Sequence, residues 1–236
     1  MQSQTSPPAP SYLQQEDGLT HEQKAFLSSL PPSEEGWIVT HFYQYQGFWY
    51  SSKQLKGMLA CQLHFQAHDS VILLATIPKS GTTWLKAITF AIMNRMRYPC
   101  SKHPLLTNNP HHLVPFLEVN LYVDNQIPDF TSFITPRLFA THLPYVSLPK
   151  SVREYSNCKV VYLCRSPKDA LISYWHFANK LRPKAFGPLS LEVAFEKFCR
   201  GVTQCGPFWD HMLGYWKESL EMPQRVFFLK FEELKE

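Results

Sequence analysis

Four short apolar segments, each ending at a turn, constrain the fold of this chain more than any other feature. They are residues 71–77, 137–142, 159–165 and 225–231. Their nearly continuous hydrophobic character is typical of strands that are buried on both faces, as in a parallel sheet. Helical patterns of apolar residues lie between or after these segments, at 82–97, 168–180, 191–200 and 208–220. The alternation of strand and helix predicts an α/β fold, with a central parallel sheet flanked by helices.

The composition excludes several other classes of protein. Of the 236 residues, 44% are hydrophobic and 18% are charged, which excludes a disordered chain, a collagen-like repeat and a coiled coil. The formal net charge is +4 and the basic residues are scattered, so we expect no nucleic-acid partner. No apolar stretch approaches the length of a membrane span, and the amino terminus lacks the pattern of a secretory signal. We therefore expect no membrane partner and a cytoplasmic location.

The chain is predicted to contain one domain. Residues 1–19 are rich in Gln, Ser and Pro and are predicted to form a disordered tail, and residues 20–236 form the domain. Residues 20–23 have the form of a capping box, which predicts a short helix that ends near Ser29. The aromatic-rich stretch 42–50 is either a strand or an ordered loop. Residues 99–136, rich in Pro and Asn, are predicted to be mostly irregular and to lie over the mouth of a site.

The turn after the first apolar segment has the composition of an anion-binding loop. It reads Pro-Lys-Ser-Gly-Thr-Thr-Trp at 78–84. Gly81 allows a close turn, and a helix that begins near Thr82 presents free N–H groups and the positive end of its dipole. Lys79 adds a positive charge, and further donors come from the hydroxyls of Ser80, Thr82 and Thr83. The alternative is a structural turn with incidental polar residues.

This loop differs from the phosphate loop of ATPases. In that loop the lysine directly follows the second glycine, whereas here Lys79 precedes Gly81. The order disfavours a kinase-like NTPase and does not imply a Mg²⁺-binding hydroxyl. Among the six cysteines no pair has the C-x-x-C spacing of a zinc or redox motif, so we expect no metal site.

A second strand–turn–helix follows the third apolar segment. Arg165 ends that segment, where a guanidinium can grip a phosphate with two hydrogen bonds. Ser166 is predicted to cap the next helix, with Pro167 at its first position and Asp169 completing a capping box. Ser173 follows inside this helix.

His142 is the histidine whose position indicates catalysis. It closes the second apolar segment, at the edge of the sheet where ligands gather in such folds. An imidazole has the basicity to remove a proton from a hydroxyl near neutral pH. Glu118 either orients His142 or has a structural role. The pair His111 and His112 has metal binding as one alternative, but no further ligands stand at a suitable spacing, so the two are predicted to be plain loop residues.

Together these strings resemble the cytosolic sulfotransferases. Residues 78–84 are similar to the family's 5′-phosphosulfate loop, 165–177 to its 3′-phosphate motif and 141–144, Thr-His-Leu-Pro, to its catalytic segment. The resemblance implies the sulfotransferase variant of the P-loop-NTPase-like fold. It also implies 3′-phosphoadenosine 5′-phosphosulfate as co-substrate, without a metal, and a small-molecule hydroxyl acceptor.

The resemblance also implies a role for individual residues. His142 would be the general base, and Lys79 would stabilise charge on the departing phosphate. The 5′-phosphosulfate would be held by Lys79, Ser80, Gly81, Thr82, Thr83 and Trp84. Arg165 and Ser173 would bind the 3′-phosphate. Phe116 and Phe177 would line an apolar acceptor pocket, with Trp49 and Tyr50 as further aromatic candidates.

The string Leu-Phe-Ala-Thr-His-Leu-Pro-Tyr at 138–145 resembles the plant branch of the family, with Ala140 where animal enzymes often carry Lys. Relatives of this type act on flavonoids, steroids, hydroxyjasmonate and desulfo-glucosinolates, and the sequence does not select among them. Phe231 stands where the family often has Tyr, whose hydroxyl contacts the donor.

Family members continue for several dozen residues beyond the position of Glu236, with a basic segment that grips the 3′-phosphate. We therefore expect the domain to be incomplete at its carboxyl end. Two functions remain open: a sulfotransferase, or a truncated, non-catalytic paralogue or fragment with weak or no donor binding. The sequence makes no prediction of oligomeric state.

Overall fold

The computed structural model describes residues 21–123, 127–131, 133, 135–155 and 157–235. The predicted disordered tail, 1–19, lies outside these ranges, as does the first residue of the predicted capping box, Thr20. Both stay predictions.

The amino-terminal part of the described chain forms two helices and a small antiparallel sheet. The elements are α1 (His21–Ser28), β1 (Glu34–Glu35), β2 (His41–Tyr45), β3 (Phe48–Tyr50) and α2 (Ser52–His64). The short first helix is confirmed, and the aromatic-rich stretch proves to be the hairpin of β2 and β3. Helix α2 was not predicted. It begins where the Ser51 hydroxyl accepts a hydrogen bond from the Gln54 N–H, a standard N-cap.

Four parallel strands form the central sheet, as the apolar segments predict. They are β4 (Val71–Thr76), β5 (Arg137–Thr141), β6 (Lys159–Cys164) and β7 (Val226–Lys230), in the spatial order β5-β4-β6-β7. Every pair in this sheet is parallel. Strand β4 lies inside the sheet, and its two faces pack into different apolar clusters: Leu73 and Ala75 on one side, Leu74 on the other. Burial on both faces explains why its sequence does not alternate.

Four helices of the α/β part follow the predicted segments, and a short one between them was not predicted. The four are α3 (Thr82–Asn94), α5 (Pro167–Leu181), α6 (Leu191–Cys199) and α7 (Phe208–Glu221), and the short one is α4 (Pro110–Leu113). The described residues of 99–136 are mostly irregular, as predicted, and also contain two 3₁₀ turns, α4 and a π-helical turn at Leu117–Leu121. Within the described ranges, no helix has both the length and the apolar character needed to cross a membrane.

The predicted capping box of α5 is wrong. The helix begins at Pro167 as expected, but the Ser166 side chain makes no capping hydrogen bond. In a capping box the Asp169 carboxylate would accept a hydrogen bond from the Ser166 N–H. Here that N–H donates instead to Glu232 Oε1 at 3.1 Å. Asp169 turns towards the end of β6, where its Oδ2 lies 3.7 Å from Arg165 Nη2.

Candidate active site

A cavity of about 570 Å³ opens at the carboxyl ends of β4, β5 and β6. Its wall is built by the loop after β4, the residues that end β5 and β6, one face of α5, and aromatic rings from other segments. Ligands bind at this edge in open parallel sheets. Ten of the predicted site residues line it: Lys79, Gly81, Thr82, Thr83, Trp84, Phe116, His142, Arg165, Ser173 and Phe177.

The loop after β4 has an unusual backbone. Lys79 has a φ of 70° and Gly81 a φ of 102°, both in the left-handed region. A Cβ at position 81 would lie 2.5 Å from the Phe231 ring. Gly81 is therefore required both for its φ and for the close approach of Phe231. A lysine held in the left-handed region indicates backbone strain of the kind found at functional sites.

The Lys79 ammonium faces an aromatic ring of the cavity. Its Nζ lies 4.6 Å from the centroid of Phe177. Burial, with the nearby charge of Arg165 as a smaller cause, lowers the pKa of Lys79. The loop therefore presents a partly desolvated cation, which favours an anionic ligand.

The hydroxyls of the loop have different surroundings. Thr82 Oγ1 lies 2.7 Å from Thr76 Oγ1, and Thr83 Oγ1 lies 3.0 Å from His111 Nε2. Ser80 is fully buried, does not line the cavity, and its hydroxyl has no hydrogen-bond partner among the described residues. Trp84 is 57% exposed and forms a T-shaped pair with the Phe231 ring, with 6.4 Å between centroids.

His142 has its two ring nitrogens in different roles. Nδ1–H donates to the Thr76 carbonyl oxygen at 2.7 Å, which leaves the lone pair on Nε2. The ring packs against Phe116, with 4.5 Å between centroids. Burial lowers the pKa of His142 to about 3, far below the ordinary value on which the sequence argument relied. The imidazole is therefore neutral at pH 7, the form that a general base needs.

Glu118 holds the backbone of the segment that carries His142. Its Oε1 accepts the His142 N–H at 2.7 Å, and its Oε2 accepts the Thr141 hydroxyl at 2.9 Å. Burial raises the pKa of this fully buried carboxyl, and these hydrogen bonds oppose the rise. Glu118 thus orients the main chain at His142, and its two carboxylate oxygens bond to that segment rather than to the imidazole.

Two residues of α7 hold the same segment from another side. His211 Nε2 donates to the His142 carbonyl oxygen at 3.0 Å, and the Tyr215 hydroxyl donates to the Leu143 carbonyl oxygen at 2.7 Å. His211 Nδ1 accepts from the Tyr162 hydroxyl at 3.0 Å. Neither His211 nor Tyr215 stands out in the sequence, because both belong to the apolar stripe of α7.

The prediction that His111 is a plain loop residue is wrong. It lies in α4, stacks on Phe116 at 5.7 Å between centroids, and bonds to Thr83. Its Nδ1 lies 3.1 Å from Nζ of Lys86, a lysine of α3 that is fully buried. The signal in the sequence was the lysine at position 86, which interrupts the apolar helical pattern of 82–97. His112 also lines the cavity.

Arg165 reaches the cavity from the end of β6. Its Nη1 donates to the Lys79 carbonyl oxygen at 3.4 Å, and its guanidinium carbon lies 5.1 Å from the Phe231 centroid. Its Nε is buried without a hydrogen-bond partner among the described residues. Ser173 and Phe177 lie on the face of α5 that borders the cavity. This side of the cavity therefore combines an incompletely bonded cation with a hydroxyl.

Trp49 and Tyr50 do not line this cavity, contrary to expectation. Trp49 is buried in an apolar cluster, and the Tyr50 hydroxyl donates to Ser147 Oγ at 3.0 Å. In the described part of the chain, no group of His, Cys, Asp and Glu side chains is arranged to hold a metal ion.

The family profile and the individual relatives that match this chain agree with one another. The sequence profile of the sulfotransferase domain family matches residues 69–236. Cytosolic sulfotransferase 15 of Arabidopsis thaliana is 48% identical over 227 residues, covering 94% of this chain and 63% of that protein. Cytosolic sulfotransferase 12 is 50% identical over 234 residues, covering 98% of this chain and 71% of that protein. The chain thus spans about two thirds of the length of these relatives.

Solved structures give the same result for the fold. A crystal structure of an Arabidopsis thaliana protein assigned as a steroid sulphotransferase has a TM-score of 0.80 and 49% identity, covering 93% of this chain and 77% of that chain. A mouse sulfotransferase complexed with PAP has a TM-score of 0.60 and 25% identity, covering 82% and 63%. Retinol dehydratase, 19% identical with a TM-score of 0.59, shares the fold; it covers 92% of this chain and 70% of that one.

Proposed function

The chain belongs to the sulfotransferase family, among the plant cytosolic members, and we propose that it transfers a sulfuryl group from 3′-phosphoadenosine 5′-phosphosulfate to an acceptor hydroxyl. The predicted family and fold are confirmed. One observation carries the proposed activity: a cationic loop at a helix start, a second cation and a neutral imidazole with a free nitrogen border the same cavity.

The donor would bind across two neighbouring strand ends. The N–H groups at the start of α3 would hold its 5′-phosphosulfate, with Lys79, Ser80, Gly81, Thr82, Thr83 and Trp84 as the surrounding residues. Arg165 and Ser173 would bind the 3′-phosphate. Arg165 supports this, because its Nε has no hydrogen-bond partner among the described residues and would gain one from a bound anion. Phe231 supplies a ring at this site without a hydroxyl.

In the proposed reaction, His142 is the general base. Its Nε2 takes the proton of the acceptor hydroxyl while the hydroxyl oxygen forms a bond to sulfur. The bond between sulfur and the bridging oxygen breaks in line, and 3′,5′-adenosine bisphosphate departs. Lys79 stabilises the negative charge that grows on that bridging oxygen. Fixed donors aimed at developing charge accelerate such transfers because they need no reorganisation at the moment of reaction.

The acceptor would be a small apolar or aromatic compound with a hydroxyl group, of the flavonoid, steroid, hydroxyjasmonate or desulfo-glucosinolate type. Phe116 and Phe177 support this choice, since both rings line the cavity next to polar groups. We also propose that the protein acts in the cytosol, because its relatives are named cytosolic sulfotransferases. Residues 20–236 are proposed to form one sulfotransferase domain.

The change of His142 to Ala tests the proposed reaction. We expect the variant to lose turnover, because no base remains, while the Kd for 3′,5′-adenosine bisphosphate changes little. Calorimetry gives the Kd, and transfer of labelled sulfate to a flavonol, a hydroxysteroid and a hydroxyjasmonate gives the turnover. Full activity of the variant would contradict the role of His142. A wild-type chain that binds the bisphosphate weakly or not at all and transfers no sulfate would favour the non-catalytic alternative.

A further inference from the structure

Lys86 is a buried cation one turn into α3 from Thr82. It is 0% exposed, and its Nζ lies 3.3 Å from the centroid of the Phe116 ring and 3.1 Å from His111 Nδ1. The proposed mechanism does not use this lysine, and its side chain does not line the cavity. Burying an ammonium costs free energy unless the group is hydrogen-bonded, so the contacts of Lys86 with His111 and Phe116 are what keep it in this position.

The hydrogen bond between Lys86 and His111 has a fixed direction when the lysine is charged. An ammonium carries donors only, so His111 Nδ1 must accept its hydrogen bond. A neutral imidazole that accepts at Nδ1 carries its proton on Nε2, which therefore donates to Thr83 Oγ1 at 3.0 Å. The Thr83 hydroxyl has no other hydrogen bond within the described ranges, and it lines the cavity. Its own proton is left for an acceptor in the cavity.

We propose that Lys86, acting through His111, fixes the Thr83 hydroxyl as a hydrogen-bond donor to the anion held by the loop after β4. The inference rests on the proposed function, in which that anion is the 5′-phosphosulfate of the donor. Lys86 and His111 are positioning residues here, because they act through Thr83. The charge of Lys86 thus orients a hydroxyl of the loop, although the ammonium itself does not contact the anion.

The charges around Lys86 allow this arrangement to respond to the anion. His111 of α4, Glu118 of the π-helical turn and His142 after β5 are the titratable groups that interact with it. Burial lowers the pKa of Lys86 to about 7, opposed by the charge of Glu118, and burial lowers that of His111 to about 4. His111 is therefore neutral at pH 7, and Lys86 is the group whose charge changes. An anion in the loop favours its ammonium form and so the donating direction.

The tautomer of His111 tests the direction of the hydrogen bonds from Lys86 through His111 to Thr83, without any assay of activity. A long-range ¹H–¹⁵N spectrum of the histidine side chains, recorded near pH 6 on the protein without donor, reports which ring nitrogen carries the proton. We expect Nε2–H for His111, with the signal assigned by its loss in His111→Phe. The preference should disappear in Lys86→Met. A wild-type His111 with its proton on Nδ1, or a tautomer unchanged in Lys86→Met, would overturn the inference.

A double-mutant cycle tests whether Lys86 acts through Thr83. We expect Lys86→Met and Thr83→Val each to raise the Kd for 3′,5′-adenosine bisphosphate about tenfold, the size of one charge-assisted hydrogen bond. In the Thr83→Val background, the further change of Lys86 should have almost no effect, because its route to the anion is gone. Lys217→Met, which removes an exposed lysine of α7, is the matched control and should leave the Kd unchanged.

The two hypotheses fail in different ways. Equal effects of Lys86→Met in both Thr83 backgrounds, or no effect in either, would overturn the inference while donor binding by the wild type still supports the proposed function. A wild-type chain that does not bind the bisphosphate would count against the proposed function. The tautomer of His111 would then still show whether the hydrogen bonds run from Lys86 through His111 to Thr83.

Discussion

At the scale of the residue, a single backbone carbonyl determines what His142 can do. The Thr76 carbonyl oxygen accepts a hydrogen bond from Nδ1–H, so Nε2 is the nitrogen left with a lone pair. The same burial that fixes the ring lowers its pKa to about 3. An imidazole with so low a pKa is a weak base in water, and in the proposed reaction it would depend on the surrounding dipoles to stabilise the imidazolium as the proton arrives.

The pH dependence of catalysis follows from this burial. Because the pKa of His142 is lowered, its neutral form persists as the pH falls through about 6.5, the ordinary value for histidine. We expect kcat/KM to show no acidic limb with a midpoint there. A pH profile of the wild type measured with saturating donor provides the check. A limb centred near the ordinary value would mean that the imidazole titrates as if exposed.

Arg165 gives the second prediction at this scale. Its guanidinium is mostly buried at the end of β6, and one of its nitrogens lacks a partner among the described residues. We expect Arg165→Ala to weaken binding of 3′,5′-adenosine bisphosphate by roughly 2–5 kcal/mol, as for loss of a desolvated charge partner. Calorimetry against Arg95→Ala, an exposed arginine at the end of α3, makes the comparison. Equal affinities of the two variants would remove Arg165 from the donor site.

At the scale of the element, the π-helical turn at Leu117–Leu121 determines where Glu118 lies. This turn packs closely on α2, where Gly57 leaves room for it: a Cβ at Gly57 would lie 1.9 Å from the Glu118 carbonyl oxygen. Any side chain at this position must displace the main chain of the turn. The backbone around His142 therefore depends on a glycine in a helix that does not reach the cavity.

The change of Gly57 to Ala tests this dependence. Although Ala is the better helix former, we expect the variant to be destabilised by about 1–3 kcal/mol, because overpacking against main chain forces a shift. Its kcat should fall, because Glu118 moves with the turn. Gly214→Ala is the matched control: it is also helical, its Cβ would meet an ordinary contact at 3.6 Å, and we expect it to gain up to about 1 kcal/mol. Urea unfolding and turnover measure both effects.

The elements differ in how well the sequence predicts them. The strands and long helices of the α/β part were predictable, because each has a hydrophobic pattern of its own over many residues. Helix α2 was missed, since its polar and apolar residues form no clear stripe. The capping box failed for a different reason. Glu232, which is distant in the sequence, bonds to the Ser166 N–H, and no local pattern contains that competitor.

At the scale of the whole molecule, buried histidines link stability to pH. Burial lowers the pKa of His142 to about 3 and that of His211 to about 4. The unfolded chain therefore binds more protons than the folded one below about pH 6.5, and stability is lost as the pH falls. Glu118, whose pKa is raised, has the opposite effect at lower pH.

We expect the free energy of unfolding to decrease between pH 7 and pH 5. Each of the two histidines contributes up to about 1.4 kcal/mol per pH unit once its unfolded form is fully protonated. Urea unfolding at several pH values measures the slope, and His211→Phe should reduce it by the share of one group. A free energy of unfolding that does not change between pH 7 and pH 5 in the wild type would contradict the buried, neutral state of these side chains.

The candidate site was predictable only in part, for a reason that concerns the whole chain. Lys79, Arg165 and their neighbours stand in local strings with a recognisable composition, so the sequence identifies them without a structure. The hydrogen bonds that tie His111 and His211 to the candidate site run to groups that are distant along the chain, namely Lys86, Thr83 and the His142 carbonyl. Such contacts are produced by the topology, and a search along the sequence does not reveal them.

The packing of Phe231 on Gly81 has a consequence for how the protein is made. The loop after β4 leaves the ribosome long before the end of β7, yet the ring that covers its glycine belongs to Phe231, the residue that directly follows this strand. Domains fold during synthesis as their segments emerge, and contacts between distant segments form late. A nascent chain that stops before β7 would carry the whole loop sequence with one wall missing. Retention of nascent chains of increasing length on immobilised adenosine bisphosphate would therefore report when this strand joins the sheet.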